Sequence, residues 1–189
     1  MSRVGKLPIR LPEGVTAAVK KKRGGPHVVT ITGPRGEMLH ELPEGISVSE
    51  QDGRMVVERS DDSADQRRLH GVTRAHLANK VKGVSVGHEI VMIVQGKGYQ
   101  AEVAGKVIDM QIGFSHRVVV ELPRGVTAEV RPGQNQFTLV LGSNDRHLLG
   151  HLASTIYRMR PAEPYNLTGI RYEGRPIRRK TAKTAAAGA

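Results

Sequence analysis

Two segments of the chain carry one pattern. LPEGISVSEQDGRMVVERSDDSADQRRLHGVTRAHLANKVKG, from Leu42 to Gly83, and LPRGVTAEVRPGQNQFTLVLGSNDRHLLGHLASTIYRMRP, from Leu122 to Pro161, both run Leu-Pro-x-Gly, β-branched residue, strand, turn, strand, polar break, helix. From Asp65 onward a constant offset of 79 pairs Arg67 with Arg146, Leu69 with Leu148, Gly71 with Gly150 and Leu77 with Ile156. Two copies point to a duplicated domain, because a solenoid needs about three repeats to cover its own core. The 189 residues suffice for two small domains, each with a core of its own.

Within that frame the strands announce themselves by alternation. KVIDMQIG sets Ile108, Met110 and Ile112 against Asp109 and Gln111, RVVVELP aligns Val118, Val120 and Leu122, and QFTLVLG aligns Phe137, Leu139 and Leu141. A period of two marks a sheet with one buried face. Gly33 to Gly36, Asp52-Gly53, Gly96-Lys97-Gly98 and Pro132-Gly133 read as turns, and the short spacings between strands imply antiparallel hairpins. Asp61, Asp62 or Ser63 is placed to cap the first helix, and Ser143 or Asn144 the second. In the second helix Leu148, Leu149, Leu152, Ile156 and Met159 recur at three- and four-residue steps, an apolar stripe that needs a sheet to cover. The expected fold is α+β: two tandemly duplicated domains, each an antiparallel sheet with a helix packed on one face.

Charge is distributed unevenly. Residues 1–25 hold Arg3, Lys6, Arg10, Lys20, Lys21, Lys22 and Arg23 against Glu13 alone, and residues 158–184 hold eight Lys/Arg against Glu163 and Glu173. The stretch between is near neutral, so the net charge of +11 sits at the two ends. A concentrated positive patch is the electrostatic footprint of a nucleic-acid binder, whereas charge kept for solubility is spread over the surface. Arg predominates in RMRPAEPYNLTGIRYEGRPIRRK, Arg158 to Lys180, and its guanidinium fork suits phosphate oxygens. That run is short of apolar residues and punctuated by Pro and Gly, so it is expected to lack a core of its own and to be held by a polyanion. Removing residues 171–189 is then expected to leave both domains folded.

Other chemistries find no foothold. The chain has no cysteine, which rules out disulfides and thiolate sites. No apolar run approaches the ~18 residues of a membrane span, and MSRVGKLPIRLPEGV lacks the apolar core of a secretory signal, which suits a cytoplasmic location. Gly96-Lys97-Gly98-Tyr99 lies between strands without phosphate-loop spacing, so it reads as a turn whose Lys97 and Tyr99 can still meet a phosphate. His147 and His151 stand four apart on a helix but lack a third ligand and the glutamate of a zinc motif, so no metal is expected. Ser115-His116 sits in no nucleophile elbow, and Asn166-Leu167-Thr168 matches a glycosylation pattern without a signal peptide to bring it into use. With four Tyr and two Phe the chain is poorly equipped to read bases by stacking, which leaves phosphate contact and shape recognition.

MSRVGKLPIRLPEGV, LHGVTRAHLANKVKGVSVG, VQGKGYQAEVAGKVIDMQIGFSHRVVVELPRGV and EPYNLTGIRYEGRPIRRKTAKT together resemble the bacterial large-subunit ribosomal protein six family, in order and over nearly the whole chain. The resemblance implies two duplicated α+β domains, no catalysis and no cofactor. It also implies binding to large-subunit (23S) rRNA beside the stalk base, with neighbouring large-subunit ribosomal proteins and translation factors close by. The family continues Lys-Gly-Lys-Gly after Tyr165, where this chain has Asn166, Leu167, Thr168 and Gly169, so two lysines are missing. The family's turn before Lys106 is also shortened, to Ala104-Gly105-Lys106.

The expected organisation is an N-terminal domain over 1–82 with a basic arm, an rRNA-binding domain over 83–175, and a basic, alanine-rich tail over 176–189. Candidate rRNA contacts are Arg3, Lys6, Lys97, Tyr99, Arg158, Arg160, Tyr165, Arg171, Arg175, Arg178, Arg179, Lys180 and Lys183. An architectural binder of duplex nucleic acid outside the ribosome is the alternative. An RNA-modifying enzyme would need a pocket of convergent titratable groups that no motif supplies.

Overall fold

A computed structural model describes residues 5–20, 27–51 and 53–180. The chain divides into two units. The first takes residues up to His88 together with Asn144–Arg146, and the second takes Glu89–Ser143 and His147 onward. The first helix runs on through Ser85, so this division falls six residues beyond the sequence-based boundary at 82/83.

In the first unit, β1 (Ile9–Arg10), β2 (Thr16–Lys20), β3 (Val28–Gly33), β4 (Gly36–Glu41), β5 (Ile46–Gln51) and β6 (Arg54–Arg59) precede α1 (Ala64–Ser85). They form two antiparallel sheets, β1-β6-β5 and β2-β3-β4. Alternation decides the buried face: Met55 and Val57 of β6 and Val29 and Ile31 of β3 turn inward to meet Leu77, Val81 and Val84 of α1. Ser63 caps α1, its Oγ accepting from Gln66 N at 3.3 Å while its own N donates to Asp61 Oδ1 at 2.8 Å. Gly87, at φ 90°, ends the helix and donates back to the Lys82 carbonyl.

The second unit repeats this order. β7 (His88–Gln95), β8 (Gln100–Ala104), β9 (Val107–Gln111), β10 (Val118–Glu121), β11 (Val126–Gly133) and β12 (Gln136–Ser143) precede α2 (Arg146–Met159), and β13 (Gly169–Tyr172) follows it. Its sheets, β11-β12-β7-β13 and β10-β9-β8, mirror those of the first unit strand for strand, with β13 added. Leu42 and Leu122, which open the two sequence copies, are both buried, as are Ile46 and Val126. The duplication thus extends over six strands and a helix, beyond the segments in which the sequence betrays it.

Ile108, Met110, Ile112, Phe137, Leu139 and Leu141 are buried as alternation requires, and α2 covers them with Leu149, Leu152, Ala153 and Ile156. Leu148 and Met159 flank that stripe, half-buried. The hairpin between β11 and β12 turns at Gln134-Asn135, two residues after the expected Pro132-Gly133. Gly133 still pairs with Gln136, and Asn135 takes φ 56°, a conformation asparagine tolerates. α2 starts at Arg146, so neither Ser143 nor Asn144 directly precedes it; Ser143 ends β12, its hydroxyl donating to the Gly125 carbonyl at 2.9 Å.

The main correction concerns the C-terminal run. Gly169, Ile170, Arg171 and Tyr172 pair antiparallel with Gln95, Val94, Ile93 and Met92, and Ile170 is fully buried in the second core. The run therefore has protein as a packing partner, and removing residues from 171 onward would cut through a strand of the main sheet. Four residues bracketed by Pro, Gly and Arg are too few to show a period, and their partner strand lies some 75 residues earlier in the chain. No helix among the described residues is long and apolar enough to cross a membrane.

Candidate nucleic-acid interface

Downstream of α2 the backbone closes on itself. Ala162 N donates to the Ile170 carbonyl at 3.1 Å and Ile170 N to the Arg160 carbonyl at 2.8 Å, which holds the loop's two stems together. Inside it, Glu163 N donates to Thr168 O and Leu167 N to Glu163 O, each at 2.9 Å. Gly169 ends the loop at φ 129°, where a Cβ would fall 2.7 Å from the Pro161 carbonyl oxygen; only glycine fits there. Beyond β13 the chain returns onto this loop: Lys180 N donates to Pro164 O and Arg179 Nε to Tyr165 O, both at 3.1 Å.

This framework ties down the backbone that carries Arg178, Arg179 and Lys180. Arg158, Arg175, Arg178, Arg179 and Lys180 are exposed, as is Lys97 on the β7–β8 turn. The ion pairs among the described residues join Arg59 to Asp62, Arg68 to Asp65, Arg117 to Asp109 and Arg131 to Glu129, and they engage none of these six. Arg175 lies 5.9 Å over the Tyr157 ring, and Tyr157 stacks on Tyr172 with centroids 5.4 Å apart. Burial, then the neighbouring Tyr157, raises the Tyr172 phenol above its ordinary value, against the opposing pull of Arg175 and Arg158.

Three of the expected contacts, Arg160, Tyr99 and Arg171, also make contacts inside the protein. Arg160 donates through Nη1 to the carbonyls of Ile112 at 3.0 Å and Gly113 at 2.9 Å, and its guanidinium lies 5.6 Å from the Tyr99 ring and 5.4 Å from the Phe114 ring. Tyr99 packs so tightly that a Cβ on Gly96 would lie 2.6 Å from its ring, and its hydroxyl is buried. Arg171 is half-buried and donates to Gln95 Oε1 at 2.8 Å. Tyr165 is exposed, while Lys6 lies in the first unit beside Arg59, Asp61, Asp62 and His70. Arg3 and Lys183 fall outside the described residues, as do Lys21, Lys22 and Arg23.

A sequence profile of the family described as Ribosomal protein L6 matches residues 11–87 and again residues 95–173, once for each unit. The chain belongs to the ribosomal protein L6 family. Proteins named large ribosomal subunit protein uL6 are similar to it end to end. That of Myxococcus xanthus is 44% identical over 190 residues, covering 97% of this chain and 98% of the relative. That of Rubrobacter xylanophilus is 39% identical over 183 residues, covering 97% and 99%. That of Trichormus variabilis is 38% identical over 188 residues, covering 100% and 99%. The L6 family consists of structural ribosomal proteins, not enzymes. His147 and His151 gain no third ligand: among the described residues no three His, Asp or Glu gather as a metal site requires.

Leu167 marks a departure from the L6 pattern. It adopts φ 59°, a left-handed conformation that glycine takes freely and a residue with a Cβ takes rarely. Sequence reasoning weighed His116 only for acyl chemistry with Ser115 and passed over Phe114; the structure places both on the surface, with Phe114 beside Arg160. The overlooked signal is distribution, because all six Phe and Tyr residues of the chain fall in the second unit.

Proposed function

We propose that this chain is a structural component of the large ribosomal subunit in the cytoplasm, anchored on large-subunit (23S) rRNA through its C-terminal unit. The observation that carries this reading is the set of exposed cations, Arg175, Arg178, Arg179 and Lys180, on a segment tied by hydrogen bonds to the 163–165 loop and bearing no ion pair among the described residues. Cations fixed in advance and left without counter-charges are what a phosphate backbone requires, and such contacts position a protein without reading sequence. Arg158 and Lys97 extend the positive surface of the same unit. Resemblance supports placement near the translation-factor site and the stalk base, among other large-subunit proteins, with 83–175 as the RNA-binding domain and 176–189 as its basic tail.

Co-sedimentation tests this reading. The chain should remain with large subunits through a high-salt wash that strips loosely associated basic proteins. Quantitative release into the wash, or equal retention on arbitrary duplex RNA, would favour an architectural binder instead.

A further inference from the structure

Phe114 is 40% exposed, a large apolar side chain left in water within the short loop between β9 and β10. His116 lies nearly parallel to it, with ring centroids 5.7 Å apart and planes 12° from each other. Behind Phe114 the Arg160 guanidinium sits 5.4 Å from the ring and holds the loop by its two bonds to the Ile112 and Gly113 carbonyls. Gly113, at φ 81°, admits that approach, since a Cβ there would lie 2.8 Å from Arg160 Nη1. The loop is thereby braced from within while its aromatic surface faces out.

We propose that Phe114 and His116 form a stacking platform for an unpaired RNA base, a contact distinct from the phosphate anchors of the C-terminal segment. The proposal rests on the rRNA-binding reading and names a further site within it. The two rings lie nearly parallel and stacked, and a base, which brings a π-face of its own, can extend that stack over the exposed His116 ring. Positive charge beside it, from the Arg160 guanidinium, favours a ligand with an attached phosphate over an apolar protein side chain. Aromatic stacking on surface rings is how proteins hold single-stranded positions in folded RNA.

The chain contains no tryptophan, so Phe114→Trp introduces a single reporter at the platform. The full-length protein is titrated with purified large-subunit rRNA, with thermal unfolding confirming that each variant is folded. Phe114→Leu, which keeps apolar bulk against Arg160 but has no ring face, should bind about 5- to 150-fold more weakly, the range for losing one stacked base, with an unchanged salt dependence. Phe114→Trp should bind as the parent does, and its emission should be quenched at saturation. Parent-like affinity of a folded Phe114→Leu, or unquenched tryptophan in the bound complex, overturns the platform while leaving the phosphate-anchored reading intact. Failure of the parent protein to bind the rRNA overturns both.

Discussion

His70 and Leu149 hold the same position in the two repeats, and both are buried. Leu149 joins the apolar core of the second unit, whereas His70 is tied by hydrogen bonds at both ring nitrogens. The Arg59 guanidinium can only donate, so His70 Nδ1 accepts from it at 3.1 Å and Nε2 donates to the Val57 carbonyl at 2.9 Å. The duplicated helix has kept its buried position while changing what is buried there.

His70→Leu, which copies the second repeat into the first, is accordingly expected to destabilise the first unit by about 1–3 kcal/mol, because it strands a buried carbonyl. Chemical unfolding monitored by circular dichroism checks this. A variant as stable as the parent would mean that the repeat position tolerates either chemistry.

β13 makes the C-terminal run part of the fold. Ile170→Ala should cost about 2–5 kcal/mol, as should Leu152→Ala on α2, since both side chains are buried in one core. A chain ending at Arg175 should unfold cooperatively with nearly the parent midpoint, whereas one ending at Thr168 should lose the transition of the second unit. Survival of that transition without Gly169–Tyr172 would show the strand to be dispensable.

That contrast shows where the sequence is legible. The α2 stripe and the alternation of β9 and β12 are local patterns, repeated often enough to be read, and their buried faces lie where periodicity puts them. β13 is four residues long and finds its partner far back in the chain, so no local period betrays it. Among the cations the sequence shows charge but not employment. Arg160 is spent on two backbone carbonyls and two rings and Arg171 on Gln95, while Arg178 and Lys180 lie exposed. Scarcity of aromatics argued against stacking. Their gathering in the second half of the chain is there in the sequence, but the meeting of Phe114, His116 and Arg160 is visible only in the fold.

The loop that holds the cations depends on two backbone conformations. Leu167→Gly should be at least as stable as the parent, and Leu167→Val less stable than the glycine variant by about 1–2 kcal/mol, because a β-branched residue fits the left-handed region poorly. Gly169→Ala should cost more than about 1 kcal/mol, because its Cβ meets backbone. Thermal melts of the three variants rank them, and a reversed order of Val and Gly would contradict the geometry.

Acid should weaken the first unit through His40. Burial, then the positive Lys80 and His76, lowers its pKa from 6.5 to about 4, and its Nε2 is buried without a hydrogen-bond partner. Between those values the unfolded chain takes up a proton that the folded chain refuses, so this contribution to stability is whole above about pH 6.5 and falls as the pH drops toward 4. The melting temperature of His40→Gln should decline less steeply than the parent's across that window. Parallel declines would assign the acid sensitivity to other groups.

The central claim, that fixed cations of the C-terminal segment grip rRNA phosphates, is tested most directly by the salt dependence of rRNA affinity. Titrations of large-subunit rRNA at several salt concentrations compare the parent with a variant in which Arg178, Arg179 and Lys180 are all neutralised. Each lost phosphate contact should flatten the slope of log K against log salt by about 0.7–0.9, so the triple variant should lose about 2–3, with similar weakening on cognate and non-cognate RNA. Asn166→Lys with Thr168→Lys should steepen it. An unchanged slope, or a loss confined to one RNA sequence, would contradict phosphate anchoring.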